Sequence, residues 1–371
     1  MRMTSNSLGI KFLSILLAIS LSLGFEAKAS DPAHEGDEKF DISTMIFHHI
    51  GDAHEWHFAT FGETHIGLNL PVILYSSDRG IETFSFSNLK SHDPHHPVVF
   101  QGYTTNHHGK IISAEPGREI FAFMKDAHAA HQEGAVQVYN ISITKNIASM
   151  LLSVAILFLV FIPVASGYKK RQGAAPKGIQ SFFEPIVVFI RDEIALPNIG
   201  KKSDKFMPFL LTVFFFIWFN NLLGLIPGGA NLTGNIAVTF SLAFFTLIIT
   251  IFSGNKDYWM HILWTPGIPM WLRPIMLPVE LVGILSKPFS LMVRLFANIT
   301  AGHVIILSLL GLTFIFKSAA VGVAATLFST VMSLLELFVA LLQAYVFTLL
   351  SAMYFGQATA EHEHDHADGH H

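Results

Sequence analysis

The chain has 371 residues, a formal net charge of -4, 51% hydrophobic and 13% charged residues, and no cysteine. Soluble domains average about 25% charged residues, so this composition excludes an ordinary soluble protein. The absence of a basic stripe excludes nucleic acid as a partner, and the absence of cysteine excludes disulfides, thiolate catalysis and cysteine metal sites.

Arg2 and Lys11 flank a polar start, Phe12 to Gly24 is apolar but short for a span, and Ala27-Lys28-Ala29 offers small residues for cleavage before Ser30. Residues 1–29 therefore read as an export signal, with an uncleaved anchor as the alternative, and residues 30–145 are expected outside the cytoplasm.

That segment is polar and rich in histidine: His48, His49, His54, His57, His95, His96, His107, His108, His128 and His131 all fall in it. Alternation at Thr83 to Phe86, Val98 to Tyr103 and Val136 to Ile143 predicts short strands, while Asp41 to Ile50 has the pattern to begin a helix. A small domain of mixed or β-rich character is expected. His54-Glu55-Trp56-His57 and His128-Ala129-Ala130-His131 set imidazoles at helical spacing, a pattern able to hold zinc or copper. Without one repeated ligand spacing, scattered solvated histidines are the plainer reading, and no metal site is assigned.

Asn146 to Tyr168 is uncharged and ends at Lys169-Lys170-Arg171, so the positive-inside rule runs this span from outside to inside. Gln180 to Ile194 mixes apolar residues with Glu184, Arg191, Asp192 and Glu193 at helical spacing, the pattern of a helix lying at the cytoplasmic interface. Lys201, Lys202 and Lys205 keep it on that side. Met207 to Leu225 then crosses outward, Pro227-Gly228-Gly229 turns the chain, and Asn235 to Phe252 crosses back to Lys256. Trp259, Trp264 and Trp271 suit a headgroup-level aromatic belt.

Leu277 to Phe316 runs outward again; a perpendicular span needs about 20 residues, so this one must tilt steeply or break. Ser318 to Tyr354 returns, leaving a cytoplasmic tail. His362, His364, His366, His370 and His371 make that tail an acidic histidine tract, readable as a weak chelator, a solvated run or a tag remnant. The expected fold class is an all-α polytopic membrane protein with five transmembrane segments, two of them long, tilted and antiparallel, plus one interfacial helix. Its expected core covers residues 146–356, with a tail at 357–371.

Few ionisable groups fall at membrane depth in the last two spans: Glu280, Lys287, Arg294, His303 and Glu336. A guanidinium does not lose its proton in proteins, and at bilayer depth it costs roughly 3 kcal/mol on insertion scales and about 10 or more on an isolated simulated helix. A mobile carboxylate on a partner supplies a reason for Arg294. If the two long helices are antiparallel neighbours, His303 and Glu336 lie roughly 13 and 10 Å outward of Arg294, and Glu280 roughly 20 Å inward. Protonatable groups then flank a fixed cation, as two half-channels that do not meet require. A proton enters by His303 and Glu336, rides the partner's carboxylate, and leaves past Glu280. Arg294 blocks leakage and lowers the pKa of the arriving carboxyl group. The competing structural reading neutralises Arg294 with Glu280 or Glu336 inside the bundle.

Leu285-Ser286-Lys287-Pro288-Phe289-Ser290-Leu291, Val293-Arg294-Leu295-Phe296-Ala297-Asn298 and Ala301-Gly302-His303 resemble the signature helix of subunit a of F-type ATP synthases. Leu335-Glu336 and Leu342-Gln343-Ala344-Tyr345-Val346-Phe347 resemble that family's last helix. Trp218 to Pro227, with Asn221 before Leu222-Leu223-Gly224-Leu225-Ile226-Pro227, is similar to an earlier span. The resemblance covers residues 146 to 356.

It implies a non-catalytic, ion-translocating subunit of the bacterial inner membrane, without cofactor or metal, whose partners are the c-ring, peripheral stalk subunit b, other synthase subunits, lipid and protons. Nucleotide chemistry then belongs to other subunits. Carried over, it implies that Arg294 is the stator arginine facing the rotor carboxylate. Asn298, His303, Glu336 and Gln343 match positions lining the external half-channel, and Glu280 and Asn235 match polar positions of the proton path. Some members carry an acid where this chain has His303 and an imidazole where it has Glu336, an exchange consistent with touching side chains. Gly224 stands where some relatives have an acid. The family also implies that Gln180 to Ile194 lies near the peripheral stalk. Sodium-driven relatives exist; an imidazole at position 303 favours protons, since histidine is the side chain suited to relaying them.

A secondary transporter is an alternative, but many are built from internal repeats and no second copy of the Arg294 motif occurs. A metal-ion transporter needs several ligands within the membrane, where only His303 is clearly available. An enzyme is the weakest reading: His54-Glu55-Trp56-His57 lacks the His-Glu-x-x-His spacing, and no Gly-x-x-x-x-Gly-Lys loop occurs.

Overall fold

The structure is a computed structural model that describes residues 51–61, 64–90, 98–106, 109–122, 136–170, 173, 175–226, 229–264, 269, 273–316 and 318–360. The expected signal peptide, the Asp41 to Ile50 helix, His128-Ala129-Ala130-His131 and the tail from Glu361 lie outside the described residues.

Eight strands come first: β1 Glu55–Phe61, β2 Thr64–Asn69, β3 Pro71–Ser76, β4 Gly80–Ser85, β5 Tyr103–Thr105, β6 Ile111–Ser113, β7 Arg118–Ala122 and β8 Val136–Asn140. One sheet has the order β4-β3-β8-β7, and two hairpins pair β1 with β2 and β5 with β6. Within the four-stranded sheet β3 is antiparallel to both neighbours, whereas β7 runs parallel to β8. The period of two is plain in β3, where Val72, Leu74 and Ser76 are buried and Tyr75 is exposed. Val72, Leu74, Phe84, Phe86, Leu89, Tyr103, Ile111 and Val138 form the core.

Tyr103 and Arg118, at the edge of this core, both find acidic partners. The Tyr103 hydroxyl donates to Glu82 at 2.5 Å, and burial, with that hydrogen bond, pushes its pKa up to about 12. The Arg118 side chain, 6% exposed, donates to Asp78 at 2.8 Å and to Glu115 at 3.3 Å.

Two expectations for this segment need correction. Val98 to Tyr103 is not a strand: Phe100 and Tyr103 pair only as an isolated bridge, because Gln101 at φ 52° and Gly102 at φ 81° turn the chain back between them. His57 lies on strand β1, with His54 just before it, rather than on a helix, so a spacing of three turns the two side chains to opposite sides. His54 is buried and stacks on Phe86 at 5.6 Å, while His57 is exposed.

The sheet joins the first helix without slack. Ile141 N–H donates to Ile73 O at 2.9 Å and Ile143 N–H to Pro71 O at 3.3 Å, and Ser142 Oγ accepts from Ile73 N–H at 3.0 Å. At the helix start Lys145 N–H donates to Ala53 O at 2.8 Å. Asn146 N–H donates to the Asp52 carboxylate at 3.1 Å, an acid at the positive end of the helix dipole.

The helices are α1 Lys145–Lys170, α2 Ile179–Phe189, α3 Leu196–Ile199, α4 Ser203–Leu225, α5 Ile236–Ser253, α6 Lys256–Leu263, α7 Arg273–Phe316 and α8 Ala319–Thr359. Among the described residues five helical segments are long and apolar enough to cross a membrane, and the chain is an all-α polytopic membrane protein over this region. The segment expected at the interface and the span expected to follow it run together: α2, a π-type turn at Ile190–Ala195, α3 and a 3-10 turn lead into α4, with Gly200 at φ 73° closing α3. α7 has 44 residues and does not break, despite Pro278 and Pro288; at 1.5 Å per residue it is about 66 Å long. Hydroxyls in the spans bond back to their own helix, as Thr246 to Leu242 O and Thr348 to Ala344 O, which keeps them satisfied without water.

The chain divides into two compact units. One holds Met1–Leu152, Leu223–Asn231 and Gly302–Leu334; the other holds Ser153–Leu222, Leu232–Ala301 and Leu335–His371. The second has a core of Val164, Phe183, Ile190, Leu210, Phe215, Leu291, Leu295, Ala344, Phe347 and Phe355, among others. Phe161 and Phe215 meet there at 4.5 Å between ring centroids.

The end of α8 belongs to this packing. Asn255 donates to Ala358 O and, from its side chain, to Thr359 O, both at 2.9 Å, and Lys202 Nζ reaches Thr359 O at 3.4 Å. Gly356 is required there, since a Cβ would collide with the carbonyl of Asn198.

Candidate functional site

Six of the seven residues singled out from the sequence lie in the second unit: Asn235, Glu280, Arg294, Asn298, Glu336 and Gln343. α7 orders them. Leu291, Leu295 and Ile299 turn inward at 1%, 1% and 3% exposure. The steps of three and four between Ser290, Arg294, Ala297, Asn298 and Ala301 bring these exposed residues to another side of the helix. Arg294 therefore projects from a surface of small side chains. Among the described residues no carboxylate lies within ion-pair distance of it, and no hydrogen bond joins it to Gln343.

Glu280, Lys287 and Arg294 follow one another at seven-residue intervals, so they share one side of α7, drifting about 20° at each step. Successive members lie about 10.5 Å apart along the axis. Lys287, which the sequence reading noted but assigned no role, is held: its Nζ donates to Gln357 Oε1 at 2.7 Å and sits 5.6 Å over the Tyr354 ring. Thr246, Thr250, Tyr258, Lys287, Pro288 and Tyr354 line a small cavity of about 10 Å³, space for about one water. Ile284 also lines it, and Pro288 has no N–H to offer the Ile284 carbonyl four residues back. Glu280 acts electrostatically on Lys287 and Tyr258, and its charge with burial raises the pKa of Tyr258 on α6, burial being the larger cause. A polar cluster thus stands on the amino-terminal side of Arg294. Its members were hard to find in the sequence, because apart from Glu280 and Lys287 they are uncharged and come from three further helices.

Glu336 and Gln343 are both buried at 5% exposure on α8, two turns apart on one side of it. Asn235 caps α5: its side chain accepts from Ala237 N–H at 3.0 Å, which accounts for an asparagine there on structural grounds alone. His303 lies in the first unit, half-buried, with Nε2 3.2 Å from the Gly224 carbonyl oxygen. A carbonyl only accepts, so Nε2 carries the hydrogen in that contact.

One buried pair was not visible in the sequence at all. Thr233 Oγ1 donates to Asn221 Oδ1 at 2.7 Å, and Asn221 Nδ2 donates to Ala340 O at 3.1 Å. It ties the turn before α5 to α4 and α8.

The family model described as ATP synthase A chain matches residues 147–356, and a second, described as a domain of unknown function, matches residues 45–137. The chain is 51% identical over 253 residues to ATP synthase subunit a 2 of Chlorobaculum tepidum, an alignment covering 66% of this chain and 70% of that one. It is 46% identical over 239 residues to ATP synthase subunit a of Chloroherpeton thalassium, covering 62% and 71%. Against ATP synthase subunit a of Pelodictyon phaeoclathratiforme it is 45% identical over 233 residues, covering 61% and 68%. With its five apolar helical segments, its arginine helix α7 and these matches, the chain belongs to the family of F-type ATP synthase subunit a.

Proposed function

We propose that this chain is the proton-conducting stator subunit of a rotary ATP synthase, with Arg294 standing between two offset half-channels that load and unload the carboxylates of a c-ring. The observation that carries this reading is the exposed guanidinium of Arg294 beside Ser290, Ala297, Asn298 and Ala301, with no described acid in ion-pair distance. A charge in lipid is costly, and small residues beside it leave room for another helix to approach closely. A rotor carboxylate arriving there would ionise, because an adjacent fixed cation lowers its pKa. Arg294 cannot itself carry the proton onward.

In this reading Glu336, Gln343, Asn298 and His303 serve the external path, Glu280 serves the internal one together with Lys287 and the cavity beside Tyr354, and Asn235 is a further polar position of the proton path. Residues 1–29 are an export signal, 30–145 an extracytoplasmic domain, 146–356 the conducting core and 357–371 a cytoplasmic tail. The chain sits in a bacterial inner membrane, the two long helices tilt, and Gln180 to Ile194 meets subunit b of the peripheral stalk. It performs no nucleotide chemistry.

The experiment is Arg294→Ala in membrane vesicles. The complex is expected to assemble while ATP-driven proton pumping is abolished; normal pumping by that variant would refute the assignment.

A further inference from the structure

The four-stranded sheet has a second face, opposite the core, with large apolar side chains exposed. Tyr75 pairs across the sheet with Ile81 on β4 and with Tyr139 on β8, and the two tyrosine rings stack at 6.4 Å. Two residues beyond Tyr139, Ile141 continues the same side along β3. Ile81 is 71% exposed, Ile141 62%, Tyr75 43% and Tyr139 42%. Ile73 and Thr83 lie on the same side, and Gln137 on β8 and Glu119 on the edge strand β7 give its far corner a polar border.

Its position limits what can cover it. From Tyr139 to Lys145 is six residues, so the tyrosine lies within about 20 Å of the first turn of α1 even if that link were fully extended. The link is also tied down, through Ile141 and Ile143 to β3 and through Lys145 and Asn146 to Ala53 and Asp52. The sheet therefore cannot swing away from the end of a membrane span. Exposed apolar side chains continue into that span at Ile147, Leu151 and Leu152.

We propose that the Tyr75–Tyr139 face of the sheet rests in the headgroup layer of the leaflet at which α1 begins, so that the domain is docked on lipid rather than standing in water. Tyrosine is suited to that depth, with an apolar ring and a wet hydroxyl, and is enriched at membrane interfaces. Ile81 and Ile141 reach the upper acyl chains, relieving an exposure that water penalises. The occupant is lipid because the tethered link carries this face directly into α1, a candidate membrane span whose first turns expose Ile147, Leu151 and Leu152.

The chain has no cysteine, so single nitroxide labels are placed cleanly. Ile81→Cys, Ile141→Cys and, as an aqueous control, Lys110→Cys are labelled in a complex whose other subunits lack cysteine, and the assembled synthase is reconstituted in liposomes. Collision with oxygen is compared with collision with a water-soluble nickel chelate. The labels at 81 and 141 are expected to give an oxygen-to-nickel ratio several-fold above that at 110. Equal ratios at all three positions overturn the proposal, leaving the face in water. Shielding of 81 and 141 from both reagents also overturns it, assigning the face to protein instead.

Discussion

Lys287 and Gln357 join α7 to α8 through a 2.7 Å hydrogen bond, seven residues along the helix from an arginine that makes no such bond among the described residues. Lys287 and Arg294 thus differ: one is tethered to α8, the other is presented outward. Losing a hydrogen bond to a charged group costs about 1.5 kcal/mol or more, and that amount corresponds to roughly tenfold in a rate. Lys287→Met is expected to slow ATP-driven acidification of vesicles by up to about that factor, with Gln357→Leu slowing it less. Unchanged rates in both would reduce the contact to a purely structural one.

Arg294→Lys separates charge from permanence. Lysine keeps a cation but shifts its pKa readily in an apolar setting and can release a proton, which arginine does not. Coupled pumping is expected to fall to background while passive proton leak through the complex rises. A dye assay of leak under an imposed pH difference decides it, and leak equal to the unmodified complex would count against Arg294 as the barrier.

The Asn221–Thr233 pair is almost fully buried, at 2% and 1% exposure. Thr233→Val leaves the Asn221 carbonyl oxygen without its donor, at a cost of about 1–3 kcal/mol. Adding Asn221→Leu is expected to restore part of that loss, since contacting residues are not additive. Thermal denaturation of the purified complex reads both; a double variant as unstable as the sum of the singles would show that the two act independently.

His54 makes the strand domain sensitive to acid. Burial lowers its pKa below the ordinary 6.5, and the Asp52 charge only partly opposes this. Below pH 6.5 the unfolded chain takes up a proton that the folded domain resists, so stability falls as pH drops through that value and on to the folded pKa. The protection of amides at β3 and β8, taken relative to intrinsic exchange at each pH, is expected to fall between pH 7.5 and pH 5.5, about one unit either side of an ordinary imidazole. His54→Phe, which keeps the stack on Phe86, should flatten much of that change. An identical pH response in the variant would place the sensitivity in other histidines.

The spans were legible because lipid imposes one simple demand, an uninterrupted apolar run, and each expected span falls within a few residues of α1, α4, α5, α7 and α8. What the pattern could not give was continuity. The length of Leu277 to Phe316 left tilt and break both open, and α7 passes Pro278 and Pro288 without breaking, since residues packed around a membrane helix can absorb a missing N–H. In the strand domain alternation found Val136 to Asn140 but misread Val98 to Tyr103, where a left-handed Gln101 and Gly102 override the apolar run. The imidazoles of His54 and His57 looked paired only under a helical period. At the candidate site Arg294 stood out because a charge in lipid is rare, whereas Tyr258, Tyr354 and Gln357 look ordinary in sequence and are gathered only by the fold.

The closing turn of α8 has a practical consequence. Asn255 and Lys202 hold the carbonyls of Ala358 and Thr359, and Gly356 sits flush against Asn198. Helix ends ordinarily fray, yet this one is clamped on several sides. A fluorophore joined just beyond Ala360 would start from a stationary foothold, giving single-molecule recordings of rotation a built-in reference mark.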